Sequence, residues 1–99
     1  MENPELIFKL KRKKTFEGIE YTEFDLSGLE ELTGEDLGTL RKQTENLEGM
    51  LMIPERHPTF AYLAASKVTG LPYDLFKNLF ARDACRLTYT ISGFFLGED

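Results

Sequence analysis

His57 and Cys85 are the only histidine and the only cysteine of the chain, so covalent or acid–base chemistry has to begin with them. A nucleophile needs a base within hydrogen-bond reach, so Cys85 or a serine would have to meet His57 in space. A metal site would need His57 to be completed by carboxylates such as Glu55. Neither spacing suggests such a set. His57 lies between Arg56 and Pro58 in a turn, where a helix-entry or exposed role is the ordinary one. Glu30, Glu31, Glu35 and Asp36 could gather a cation, but a solvated helix entrance accounts for them. Gly28, Gly34 and Gly38 are too sparse for a phosphate-cradling loop and lack its Lys-Ser/Thr ending. We expect no catalytic residue, no metal site and no cofactor.

Two further groups bear on binding. Lys9, Lys11, Arg12, Lys13 and Lys14 form a basic run of the kind that neutralises phosphates. Residues 1–14 carry +3, but residues 15–48 carry −8 and the remainder is neutral, within a total of −5. We read the run as a solvated, charged edge strand that discourages edge-to-edge pairing. The alternative is a small regulatory or DNA-binding protein that lays the basic hairpin as a ribbon in a groove. The uneven charge could also steer a partner or join copies head to tail.

The second group is apolar. Met50, Leu51, Met52 and Ile53 run between a helix-stopping Gly49 and Pro54, and Phe94, Phe95 and Leu96 lie near the end of the chain. Loops are normally polar, and flexible methionines suit surfaces that repack around a partner. Residues 50–53 could instead be a helix end folded back over the core. Adjacent phenylalanines point about 100° apart on a helix, so one can face the core while the other faces outward. Met50, Met52, Ile53, Phe94, Phe95 and Leu96 are therefore the candidate partner-binding or self-association surface.

The elements that carry these groups follow from periodicity. Leu6, Phe8 and Leu10 alternate with Ile7, Lys9 and Lys11. Ile19, Tyr21 and Glu23 alternate with Glu20, Thr22 and Phe24. With Gly18 between them, this predicts a hairpin over about residues 5–27. From Thr33 the period changes: Leu37, Leu40, Thr44, Leu47 and Leu51 share one face of a helix over about 33–48. Thr33 and Asp36 resemble a capping box, Gly49 suits a left-handed stop, and Gly38 inside costs up to about 1 kcal/mol against alanine.

Pro54 and Pro58 break the chain before a helix over about 58–69, marked by Phe60, Leu63, Ala64, Lys67 and Val68 and stopped by Gly70. Pro72 opens a short helix over 72–78. The last helix, about 80–96, carries Phe80, Ala84, Leu87, Ile91, Phe94 and Phe95 on one stripe, with Asp83 near its positive end.

The fold class expected is α+β: one domain over 1–99, an N-terminal β-hairpin followed by a small bundle of three to four helices. The hairpin should pack on the helices through Phe8, Leu10, Ile19 and Tyr21. The 99 residues, 41% hydrophobic with eight Phe and four Tyr, suffice for one compact core. They need not hide the whole stripe of the last helix, which predicts a partner. A lone cysteine excludes an internal disulfide, and no apolar stretch approaches the roughly 20 residues that cross a bilayer. The opening Glu2-Asn3-Pro4 is unlike a charged-then-apolar leader, so a cytoplasmic protein without membrane contact is expected.

Phe8-Lys9-Leu10-Lys11, Gly18, Tyr21, Asp25-Leu26 and Leu32-Thr33-Gly34-Glu35-Asp36-Leu37 resemble the start of the tail assembly chaperones of long-tailed bacteriophages and prophages. Tyr62-Leu63-Ala64, Gly70-Leu71-Pro72, Leu79, Ala81, Asp83, Leu87 and Phe94-Phe95 resemble their closing half. The likeness spans nearly the whole chain through degenerate positions, with no catalytic signature. Gly38, the basic run through Lys14 and residues 50–53 depart from it.

The resemblance implies a non-catalytic oligomeric chaperone of virion morphogenesis. Such a protein coats the long, helical, apolar tape-measure protein in the host cytoplasm before tail-tube subunits polymerise, and is absent from the mature virion. Such families often also make a frameshifted longer form, of which this chain would be the short counterpart. The implied partners are the tape-measure protein and further copies of the chain, with nucleic acid not expected. Weak sites suffice for such a coat, because neighbouring copies raise the effective concentration.

Overall fold

The computed structural model describes residues 6–97. An antiparallel hairpin, β1 (Ile7–Phe16) and β2 (Ile19–Asp25), precedes four helices: α1 (Gly34–Glu48), α2 (Pro58–Thr69), α3 (Tyr73–Lys77) and α4 (Ala81–Leu96). Short 3-10 turns at Ser27–Glu31 and Pro54–Arg56 join them. This is the α+β order expected from the periodicity.

The hairpin closes on the pair Phe16 and Ile19, leaving Glu17 and Gly18 in a tight turn with φ of 50° and 80°. Positive φ at both positions matches the twist of the strands, and glycine accepts it without strain. At the stem Phe8 faces Phe24 and Lys9 faces Glu23, while nearer the tip Lys14 faces Tyr21. Strand β1 therefore carries extra residues in a bulge between Lys9 and Lys14.

That bulge corrects the expected core face. Phe24, assigned by alternation to the side opposite Ile19 and Tyr21, is 3% exposed, whereas Ile19 is 56% exposed. A bulge shifts the period-two alternation of one strand against the other, and here it leaves the stem to make the main contact with the helices. Phe24 packs against Phe76, the rings tilted by 56° with centroids 4.9 Å apart. Phe8 is buried as expected, and Leu10 and Tyr21 are half-buried against the same core.

Helix α1 starts on the capping box. Thr33 Oγ1 accepts from the Asp36 backbone N–H at 3.3 Å, and Asp36 Oδ2 accepts from the Thr33 backbone N–H at 2.9 Å. The Thr33 N–H and hydroxyl, together with Lys67 on α2, hold the Asp36 carboxyl below its ordinary range although its slight desolvation opposes them. Leu40 and Thr44 are buried, and the Thr44 hydroxyl is satisfied by the Leu40 carbonyl at 2.8 Å. Leu47, on the last turn beyond them, is 58% exposed rather than part of the buried stripe. Gly49 ends the helix with φ 84° but ψ −175°, a glycine conformation more extended than the left-handed stop expected.

Helix α2 packs against α1, α3 and α4. Its buried face pairs Phe60 with Ala61, Ala64 and Ala65, small side chains that let neighbouring elements approach closely. Gly28 shows how close: a Cβ there would meet Val68 Cβ at 3.0 Å and the Val68 carbonyl oxygen at 3.3 Å. Leu26, Leu29, Leu40, Phe60, Leu75, Phe76, Leu87 and Ile91 form the fully buried centre. Among the described residues, no helix is long and apolar enough to cross a membrane.

Candidate partner-binding surface

Residues 50–53 do not fold back over the core. Met50 is 94% and Met52 97% exposed, Ile53 is 47% exposed, and only Leu51 turns partly inward. Polar contacts fasten both ends of the segment. Glu48 Oε2 accepts from Thr59 Oγ1 at 2.7 Å, with His57 Nε2 3.9 Å from its other oxygen. Glu55, buried beside Pro54, pairs with Arg41 Nε at 3.3 Å. His57 also takes the helix-entry role expected of it, its Nδ1 accepting the Thr59 backbone N–H at 3.1 Å. The methionines thus stand on an anchored platform.

The end of α4 also exposes apolar side chains. Phe94 and Leu96 are 36% and 37% exposed, while Phe95 turns inward against Phe60, ring centroids 5.2 Å apart and edge to face. Phe60, which Phe95 meets, stands in the first turn of α2. Leu47 is exposed as well. Of the six candidate residues, Phe95 is the one half-buried against the core.

A second apolar feature escaped the sequence analysis. A groove of about 570 Å³ runs between α2 and α4, lined by Tyr62, Leu79, Ala84, Cys85, Thr88 and Tyr89. Among the described residues, its charged lining residues are Arg56 and Lys77. Burial pushes the Tyr62 phenol above its ordinary pKa, with Tyr73 and Cys85 nearby adding to the shift. The available signal was the run of small residues Ala81, Cys85, Thr88 and Ser92 at helical steps along α4, a second face beside the apolar stripe.

The chain matches no family of known proteins, no curated protein and no solved structure.

Among the described residues, the groups weighed above for chemistry have other surroundings. His57 turns to Glu48 and Thr59, Glu55 to Arg41, and Cys85 lies exposed in the groove. Among the described residues, no three His, Cys, Asp or Glu side chains are grouped to hold a metal ion.

The basic run fastens the hairpin to α4. Asp83, 1% exposed, accepts the backbone N–H groups of Lys11 at 2.9 Å and Arg12 at 3.0 Å, both in the bulge of β1. Arg86 Nη1 donates to the same carboxylate at 2.7 Å and to the Lys9 carbonyl at 3.0 Å. Burial alone would raise the Asp83 carboxyl, but these donors outweigh it and hold the group below the usual carboxylate range. The Arg12 guanidinium lies 3.7 Å from the Phe80 ring centre, Lys14 Nζ lies 4.7 Å from it, and Lys13 pairs with Glu20 at 3.2 Å. Lys9 and Lys11 keep exposed side chains. Sequence reasoning had given Asp83 only a helix-dipole role.

Proposed function

We propose that this protein is a non-catalytic tail assembly chaperone, which covers the amphipathic helices of a tape-measure protein in the host cytoplasm and keeps it soluble before the tail tube polymerises. The observation that carries the reading is the near-complete exposure of Met50 and Met52 on a segment fastened at both ends. Monomeric soluble proteins rarely hold contiguous apolar surface to solvent without a use for it, and methionine adapts to helices of varied shape. Leu47 and Ile53, close to them in the chain, and Phe94 and Leu96 at the end of α4 are exposed as well, apolar side chains of the kind that receive the stripe of an amphipathic helix. The resemblance quoted above supplies the identity of that helix.

The test is co-expression with a tape-measure protein of a long-tailed phage. The wild-type chain should hold it in the soluble fraction, and Met50→Asp/Met52→Asp should release it into the pellet while circular dichroism stays unchanged. Equal solubility with both proteins would refute the role of this surface, and no effect of the wild type would refute the function.

A further inference from the structure

We propose that the groove between α2 and α4 receives residues 50–53 of a second copy of this chain, and that the exchange is reciprocal, forming a two-fold dimer. The groove and the methionine segment are complementary in kind. One is an open apolar recess of about 570 Å³, and the other presents Met50 and Met52 at 94% and 97% exposure. They are also neighbours, since Arg56 and Pro58, which follow the segment directly, line the groove.

The segment does not occupy its own groove. Pro54 and Glu55 are buried, and Arg41 of α1 holds Glu55, so the short tether keeps both methionines in solvent. A second copy has no such tether. A knob and a recess side by side on one surface suit an isologous contact, in which each copy gives and receives at once.

Charge agrees with this. Among the described residues the charged lining of the groove is basic, with Lys77 beside Arg56, and the segment that would enter it follows the acidic stretch 15–48, with exposed Glu45 at its approach. Methionine, unbranched and polarizable, fills irregular recesses and packs well on rings such as those of Tyr62 and Tyr89. The dimer would cover the surface assigned above to the client until a client competes for it. That shielding role rests on the proposed function, whereas the contact itself does not.

The lone native cysteine makes the contact testable in the full chain. Sedimentation equilibrium should show a dimer for the wild type. Met50→Asp/Met52→Asp, which changes the segment, and Cys85→Arg, which fills the groove from an exposed position, should each weaken it at least about a hundredfold. With Met52→Cys, diamide should accept two electrons and two protons from the introduced thiol and Cys85 of the second copy, leaving a disulfide-linked dimer. Adding Cys85→Ser should abolish that product.

A wild-type monomer at high concentration, a dimer that survives Cys85→Arg, or a cross-link that persists without Cys85 would each overturn the proposal. So would protection of Cys85 from maleimide by an amphipathic helical peptide but not by raising the concentration of the chain itself. The Cys85→Arg chain keeps its methionines, so its failure to hold a tape-measure protein, alongside a wild type that dimerises, would refute the client and leave the dimer standing.

Discussion

Replacing Asp83 with Asn tests the seam between the hairpin and α4. The carboxylate receives three donors at 2.7–3.0 Å while 1% exposed. Asparagine keeps one acceptor oxygen, but its amide then faces a donor, so at least one backbone N–H of the bulge and the charge of Arg86 lose their partner. Each hydrogen bond to a charged group contributes about 1.5–3 kcal/mol, and unpairing a buried charge costs about 3–5 kcal/mol. Arg86 is partly exposed and can rehydrate, which places the expected loss near 3 kcal/mol. Against a total of about 5–15 kcal/mol this is a large fraction, readable as a fall in urea midpoint at neutral pH.

The pH dependence gives a second readout of the same seam. The folded-state pKa of Asp83 lies below its unfolded value, so its stabilisation is complete above the usual aspartate pKa of about 3.9 and is lost as pH falls through the folded value. The wild-type midpoint should therefore drop steeply below about pH 4. Asp83→Asn should be less stable at neutral pH and shallower in that acid window. Asp36 titrates in the same direction in both proteins, so the difference between the two curves isolates Asp83. Equal midpoints at neutral pH with parallel acid limbs would refute the reasoning.

Gly38→Ala should raise stability by about 0.5–1 kcal/mol in urea unfolding, since a Cβ there meets nothing within 4 Å and the residue lies inside α1. Gly28→Ala should cost about 1–3 kcal/mol, because its Cβ would press on Val68. Thr33→Ala should lower the urea midpoint by the equivalent of about 1 kcal/mol through loss of the capping box. Phe95→Ala should destabilise by about 2–4 kcal/mol while Leu96→Ser changes thermal unfolding little, because only Phe95 packs on Phe60.

Helix bounds were legible wherever a local stop or start signal was present. Thr33, Pro58 and Gly70 each act through residues adjacent in sequence, and the structure uses them as their chemistry requires. The hairpin was legible too, but not its inward face, because a bulge is a long-range compromise between a strand and the helix it meets. Nothing in Lys11 or Arg12 announces that their backbone will bond to a carboxylate more than seventy residues away. The exposed apolar residues were half legible. Met50, Met52 and Ile53 stood out as a greasy run in a loop, whereas Leu47 was hidden among core positions and Phe95 could not be told from Phe94 without the position of Phe60. The groove was missed because small residues give no hydrophobic signal, although they are what leaves room between two helices.

Asp83 grips the hairpin by its main chain, which makes these two hydrogen bonds indifferent to the letters written at positions 11 and 12. Lineages could change the side chains there and still keep both bonds, at the loss of the Arg12 contact with Phe80, so long as neither position became proline, which lacks the donor. Sequence drift along β1 would then say little about whether the architecture persists, and the aspartate would be the position to watch.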